Sequence, residues 1–424
     1  MVFSLLKDAQ KKIFNNNNNN NNNKSFGKKT RVMYHDKEKQ HHRTRKALHS
    51  LFQEKAIRRN AVLSLVILLV TIVFVVTSGD AMFSAERDLN AMCSAETTGG
   101  VGTKNWSASE AFAASERIER DIRTSLGASG NSVDERKKKE VGEGFTILLN
   151  TFKRRDLLKR SLWHYAECKD SGRAKIEEIR VVWSEQVPVP SASDGRGDAK
   201  AYFLDRPDLV RYDRHVGSTS IQNRFEKIED LKTEAVFHVD DDVRIPCGKL
   251  QKGFQEWQRN REGLVGYFGR MHKLESRNIE DGTCKMRYAW NDVELFFTSS
   301  KRYSIALTKA AFSHAKYLEL YSSEHLPEGV REYIDARKNC EDIAMQMLVS
   351  SVVSEKNKRD GSKKKRGHRA AVTVSSGWMH YIAGKIDSMF VDGISSGQGH
   401  HDERSGCVTD FSRMFGGGSP LDTY

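Results

Sequence analysis

The sequence predicts an α/β domain built on a mixed, mostly parallel sheet flanked by helices, behind a single N-terminal transmembrane helix. Three observations carry this. Phe145–Leu149, a helical stretch with Leu158, Leu162 and Tyr165, and Ile179–Trp183 follow in strand–helix–strand order, which predicts a βαβ unit and a parallel sheet. A further apolar run, Ala235–Val239, ends in Asp240, Asp241 and Asp242. Ala61–Thr77 is a run of seventeen residues without a charge.

The chain has 424 residues and a formal net charge of +13. Residues 1–60 hold fifteen Lys/Arg against four Asp/Glu, a net of +11, so only +2 is left for the other 364 residues. The main part of the chain is close to neutral, which argues against nucleic-acid binding. Asn15–Asn23 is an unbroken asparagine run with nothing to bury, and residues 1–60 read as a disordered basic tail. The run 61–77 is at the short end of a membrane span, about 25 Å at 1.5 Å per residue. Arg58 and Arg59 precede it, and Asp80, Glu86 and Asp88 follow with Arg87. The positive-inside rule then predicts a cytosolic N-terminus and a lumenal C-terminal part. A short span suits the thin membranes of the early secretory pathway. A cleaved signal peptide would have a short leader, whereas about sixty residues precede this run. Residues 78–143, rich in Ser, Ala, Gly and charge, read as a lumenal stem. Asn105 of Asn105-Trp106-Ser107 is a glycosylation acceptor there.

Residues 144–424 are predicted to be the folded domain. Phe145–Leu149 reads as a buried strand, Asp156 as the N-cap of the following helix, and Ile179–Trp183 as the second strand. A second helical stretch around Asn223–Leu231 leads into the aspartate strand. Ligands of open α/β sheets bind beyond the carboxyl ends of the strands. The candidates there are Asn150, Thr151 and Arg154 after the first strand, Ser184 after the second, and the aspartates after the third. Three adjacent carboxylates cannot stay buried unpaired, so they need a cation. A hard divalent metal that also holds a substrate's phosphates is the natural occupant. The glycine and closing glutamate of an EF-hand are absent. Alone, the triplet equally fits a solvated turn. Asp342 opens a helix with Ile343, Met347 and Leu348 on one face, where alone it would serve the helix dipole.

Several stretches in order then carry a resemblance: FTILLNTFKRRDLL, the VVW ending at Trp183, NRFEKIEDLKTEAVFHVDDD, Arg270 in GRMH, YSIALTKAAFSHAKYLELY, Asn339–Met345, and Gly397–Arg404 with Cys407. From about 144 to 412 the chain resembles the exostosin-like glycosyltransferases, family 64, which have the GT-A nucleotide-diphospho-sugar transferase fold. The resemblance implies a retaining transferase using manganese (Mn2+) and a nucleotide sugar, commonly UDP-N-acetylhexosamine, with a glycan or glycosphingolipid as acceptor. It makes Asp242 of the DXD motif the direct metal ligand and sets Asp240 and Asp241 on the ribose and base side. Arg154 and Arg224 become forked donors to nucleotide or phosphate, and Asn150, Thr151, Ser184 and Asn223 nucleotide contacts. Asp342 becomes the carboxylate beneath the sugar's reacting carbon, as nucleophile or electrostatic stabiliser. Arg404 lies near the donor diphosphate, and Arg270 lines the acceptor site. The resemblance also pairs Cys340 with Cys407, in a compartment where disulfides persist.

The chain departs from the family's pattern at Ser184, where Asn is frequent, and at Glu341, where a second Asp is. Residues 190–217 read as a polar insertion. Residues 355–369 read as a basic loop, either solvated or set against anionic lipid headgroups. The motif near Gly399-His400 is closer to the plant-like branch, which acts on phosphoinositol sphingolipids, while animal members act on glycosaminoglycan primers. The expectation is a type II membrane glycosyltransferase of the Golgi or endoplasmic reticulum. Two alternatives stand beside it: a GDP-mannose-dependent mannosyltransferase of inositol-phosphate sphingolipids, and a non-catalytic lumenal module. The joint presence of Asp242, Asp342 and Arg404 argues against the second.

Overall fold

The computed structural model describes residues 106–127, 143–189, 200–277, 284–289, 303–361, 367–375, 400–416 and 419–421. The basic tail, the apolar run 61–77 and Asn105 lie outside the described residues, all of which belong to one unit, Ser78–Tyr424. Among the described residues no helix is long and apolar enough to cross a membrane.

Ten strands are described in chain order: β1 (Phe145–Thr151), β2 (Ile176–Trp183), β3 (Val210–Arg214), β4 (Ala235–Asp240), β5 (Leu264–Gly266), β6 (Gly269–Arg277), β7 (Cys284–Ala289), β8 (Ile305–Ala306), β9 (Ala310–His314) and β10 (Ala371–Thr373). Seven of them form the main sheet in the order β10-β5-β9-β4-β1-β2-β3. β1 is parallel to β2 and β4, β2 to β3, and β10 to β5. β9 alone among these runs antiparallel, between β4 and β5. The fold is therefore mixed α/β with a mostly parallel sheet. β6 pairs with β7 and β8 in a smaller antiparallel sheet.

Strands covered on both faces read as continuous apolar runs, and β1 and β4 do. Side chains alternate between faces. Phe145, Ile147 and Leu149 of β1, with Phe237 of β4, pack with Leu158 and Leu162 of α2 (Arg155–Asp170) and Phe254 and Trp257 of α3 (Cys247–Arg259). Leu148 and Val236 face the other layer, which contains α4 (Lys316–Ser322), α5 (Val330–Arg337) and α6 (Glu341–Arg359). α6 is buried on every side from Asp342 to Val353, as a helix apolar nearly all round must be. α7 (His400–Met414) adds Cys407, Val408 and Phe411 to this second core.

The structure corrects the sequence reading at several places. α2 begins at Arg155, so Asp156 is in its first turn rather than its cap; there its charge still favours the helix dipole. The stretch 223–231 is not helical beyond a short 3-10 turn, Ile221–Phe225. The polar insertion contains the edge strand β3, whose sequence VRYDR buries only Val210. An edge strand with one neighbour tolerates such polarity, and Asp213 there takes a two-pronged bond from Arg180 of β2 (3.0 and 2.5 Å). Residues 355–359 end α6 instead of opening a loop.

Part of the predicted stem also belongs to the domain. α1 (Ala108–Ser125) is capped by Ser107, whose Oγ accepts from Glu110 N. It buries Ala111, Phe112, Ala114 and Ile118 in the core that holds α4 and α6. Trp106 Nε1 donates to His325 O (2.9 Å), and its ring meets Phe415 edge-on at 4.9 Å. Glu119 of α1 and Glu262 both accept from the buried Lys316 Nζ, at 2.6 and 2.7 Å. Two of the four core residues on α1 are alanines, which hides its amphipathic face in a sequence scan.

Because Phe112 of α1 is buried in the domain core, Phe112→Ala should destabilise the domain by about 3 kcal/mol, the range for a buried phenylalanine. A stem helix would give no change. The melting temperature of the purified full chain checks this.

Candidate functional site

Because β1, β2 and β4 are parallel neighbours, their carboxyl ends share one edge of the sheet, and Asn150 stands in register with both Val182 and Asp240. Asp241 N donates to Asn150 O (3.1 Å), and Asp240 N to Lys309 O (3.1 Å). The chain turns directly afterwards, with Val243 N on Asp240 O (3.0 Å).

The three aspartates part company here. The Asp241 side chain is 0% exposed, that of Asp240 22% and that of Asp242 41%. Asp241 accepts from Thr151 Oγ1 (2.7 Å) and pairs with Arg154 Nη2 (2.5 Å), while Ser161 of α2 bonds its backbone carbonyl (2.7 Å). Burial pushes the Asp241 carboxyl up to about 7, against the pull of Arg154 and Thr151. Asp241 thus points inward and anchors the loop after β1. Arg154 Nη1 reaches on to Asp242 Oδ2 (3.1 Å). Thr151, buried and donating to Asp241, shares the anchoring role.

Ser184 and Asn223 meet, although 39 residues apart: Asn223 Nδ2 donates to Ser184 Oγ (3.0 Å), and Ser218 Oγ to Asn223 Oδ1 (2.9 Å). Both are buried, so they shape the end of β2 from within. Glu185, which sequence reading missed, latches the loops after β1 and β2. It accepts from Lys153 N (2.6 Å) and takes both Nη atoms of Arg155 (2.8 and 2.9 Å). The Arg155 guanidinium lies 4.1 Å over the Trp183 ring. No local pattern marks Glu185, since its partners lie some thirty residues away.

Arg224 is 5% exposed and acts as a strut. Its Nη1 is 2.9 Å from Asp240 Oδ1 and 3.6 Å from Glu341 Oε1, and its Nη2 donates to Thr308 O (2.8 Å). One guanidinium nitrogen thus joins the end of β4 to the start of α6. At that start Arg404 Nη2 contacts both oxygens of Asp342, each at 2.5 Å, and Nη1 donates to Asn339 Oδ1 (3.1 Å). The Arg404 guanidinium lies 4.8 Å over the Tyr288 ring. Burial and the neighbouring Asp342 push the Glu341 carboxyl up to about 7, against Arg224 and Arg404. Cys340 and Cys407 are disulfide-bonded, with Cα atoms 6.3 Å apart, which ties the start of α6 to α7. A second disulfide joins Cys168 to Cys247. Arg270 stands on β6, its Nη1 on Gly269 O (2.7 Å).

Among the described residues no three His, Cys, Asp or Glu side chains converge as a metal cage. Asp242 has the most exposed carboxylate of the triplet. A single carboxylate plus substrate phosphates is a common way for proteins to hold magnesium-like ions, so this donor set fits a metal that arrives with a diphosphate.

The glycosyl transferase family 64 domain matches residues 145–423. The chain is 34% identical over 282 residues to glycosylinositol phosphorylceramide mannosyl transferase 1 of Arabidopsis thaliana, covering 65% of this chain and 73% of that protein. It is 30% identical over 260 residues to glucosamine inositolphosphorylceramide transferase 1 of Arabidopsis thaliana, covering 61% of this chain and 28% of that protein. With human exostosin-2 it shares 28% identity over 276 residues, 65% of this chain and 32% of exostosin-2. It therefore spans less than a third of these last two proteins.

Closing a loop of 67 residues contributes on the order of 4 kcal/mol. Cys407→Ser should lower the melting temperature, and by loosening Arg404 against Asp342 it should reduce turnover by about a hundredfold. Thermal unfolding and initial rates on the same sample check both.

Proposed function

The chain belongs to glycosyltransferase family 64 and is a glycosyltransferase of glycan or glycolipid acceptors; from that premise we propose a metal-dependent, retaining enzyme of the GT-A type that uses a nucleotide-diphosphate sugar. The observation that carries this reading is the Arg404–Asp342 pair, joined through Glu341 and Arg224 to the aspartate end of β4.

In this reading Asp242 holds a divalent ion, Mn2+ or a relative, which when bound neutralises charge on the departing diphosphate. Asp342 lies beneath the reacting carbon and stabilises the positive charge that develops as the bond to the diphosphate breaks. Arg404 fixes both Asp342 oxygens, so that the carboxylate is aligned before substrate arrives. Asn150, at the strand end, lines the nucleotide side, and Arg270 the acceptor side. Asp240, tied to Arg224, keeps part of its surface for the ribose.

The acceptor we propose is an inositol-phosphate sphingolipid, and the first donor to test is GDP-mannose. The support is the plant mannosyl transferase, most of whose length aligns with this chain. UDP-N-acetylhexosamine is the second reading, supported by the glucosamine transferase. The run 61–77 supports a type II anchor in the Golgi or endoplasmic reticulum, with Asn105 lumenal and glycosylated. The Cys168–Cys247 and Cys340–Cys407 disulfides suit that oxidising compartment.

Hydrolysis of a panel of nucleotide sugars by the purified chain should single out one donor and should stop on chelation. No turnover of any donor would reject the reading. Two neighbouring variants separate the aspartates. Asp242→Asn should abolish metal-dependent nucleotide binding in calorimetry while the protein melts as wild type does. Asp241→Ala should instead destabilise the fold by about 1–3 kcal/mol, because it takes the shared acceptor from the buried Thr151 hydroxyl and from Arg154.

A further inference from the structure

One cation of the site is left over by the pairing described above. Lys309 sits in the turn between β8 and β9, and that turn is fixed against the end of β4. Its carbonyl accepts from Asp240 N (3.1 Å), and the carbonyl of Thr308 accepts from Arg224 Nη2 (2.8 Å). The Lys309 Nζ lies over the Phe268 ring, 4.1 Å from its centroid, so the ammonium is held in place rather than trailing into solvent. The charges around it are Asp240, Asp242, Asp342 and Arg270. It makes no ion pair among the described residues. The nearby carboxylates already have arginines: Asp240 has Arg224, Asp242 has Arg154 and Asp342 has Arg404.

A half-buried ammonium without an ion pair among the described residues is unfavourable, and balancing the aspartates does not explain it. Resting on the nucleotide-sugar reading above, we propose that Lys309 is a phosphate-binding residue, whose ammonium takes an oxygen of the donor's diphosphate. Its place supports the donor over the acceptor. The carboxylate assigned to the metal and the carboxylate assigned to the sugar both act on it, and the diphosphate is the part of a sugar nucleotide that lies between those two points. Lysine serves here as a point charge, with no fork geometry required. Lys309 stays protonated and transfers no proton; it stabilises the electron pair that leaves on the diphosphate oxygen. Burial, with Arg270, lowers the ammonium's pKa, and the three aspartates oppose this. A bound diphosphate would add to their effect.

The test is calorimetric titration of the full chain with UDP and with GDP, with Mn2+ and again in chelator. Lys309→Gln should weaken the bound nucleotide about ten- to a hundredfold, as expected for loss of a hydrogen bond to a charged group. The loss should persist in whatever binding remains without metal. Lys309→Arg should retain most of the affinity, and both variants should melt as wild type does. Unchanged nucleotide affinity in Lys309→Gln overturns the proposal. If that variant instead raises only the KM of a phosphodiester-bearing acceptor, the cation serves the acceptor and the diphosphate assignment is overturned. A large drop in melting temperature with normal affinity marks a structural lysine and overturns it too. Wild-type protein that binds neither nucleotide rejects the nucleotide-sugar reading itself, whatever Lys309 does.

Discussion

The constraint on which the site depends is that a buried carboxylate must have a cation beside it. Removing a charge from water is unfavourable by several kcal/mol unless a partner and hydrogen bonds offset it. Every acidic side chain at this edge of the sheet obeys the rule through an arginine placed by a different element. Arg154 comes from the loop after β1, Arg224 from the 3-10 turn before β4, and Arg404 from α7. The same pairs that make the carboxylates tolerable therefore hold the loops together. Arg224 is the extreme case, since one of its nitrogens meets Asp240 and Glu341 at once.

This division of labour explains why three consecutive aspartates are not three ligands. In an extended chain alternate side chains point opposite ways, and Asp241 is turned to Thr151 and the α2 side. Asp242, past the turn of the chain, is left most open. The acidity of all three is thus used differently: one builds, one meets the arginine strut, and one is available to a metal.

How much was legible in the sequence follows the range of the interactions involved. β1, β4 and α6 were legible because they are apolar in unbroken runs, and the position of the site followed from the parallel order of the strands. The edge strand β3 was not, because a strand with one neighbour need not be apolar. α1 was not, because alanines carry its buried face and its charged residues reach partners such as Lys316 and Glu234 far along the chain. Among the candidate site residues, burial was not legible. Nothing local says that Asp241 and Arg224 turn inward, or that Asn223 meets Ser184. Each depends on a contact across 39 to 90 residues of chain.

The Cys168–Cys247 and Cys340–Cys407 disulfides extend the same logic from charge to backbone. Cys168 lies on α2, which follows the Arg154 loop, and Cys247 opens α3, which follows the aspartate turn. Their bond fixes the two elements that lead away from the Arg154–Asp242 contact. Cys340 precedes Asp342 and Cys407 follows Arg404 by three residues, so their bond fixes the elements that carry the other pair. Each half of the site thus has one ion pair at its centre and one covalent tie behind it. Ion pairs alone tolerate movement, because a long arginine can follow a displaced carboxylate. Covalent ties behind them remove that freedom, and transition-state stabilisation by fixed charges requires it to be removed, because charges that must reorganise during reaction lose most of their effect.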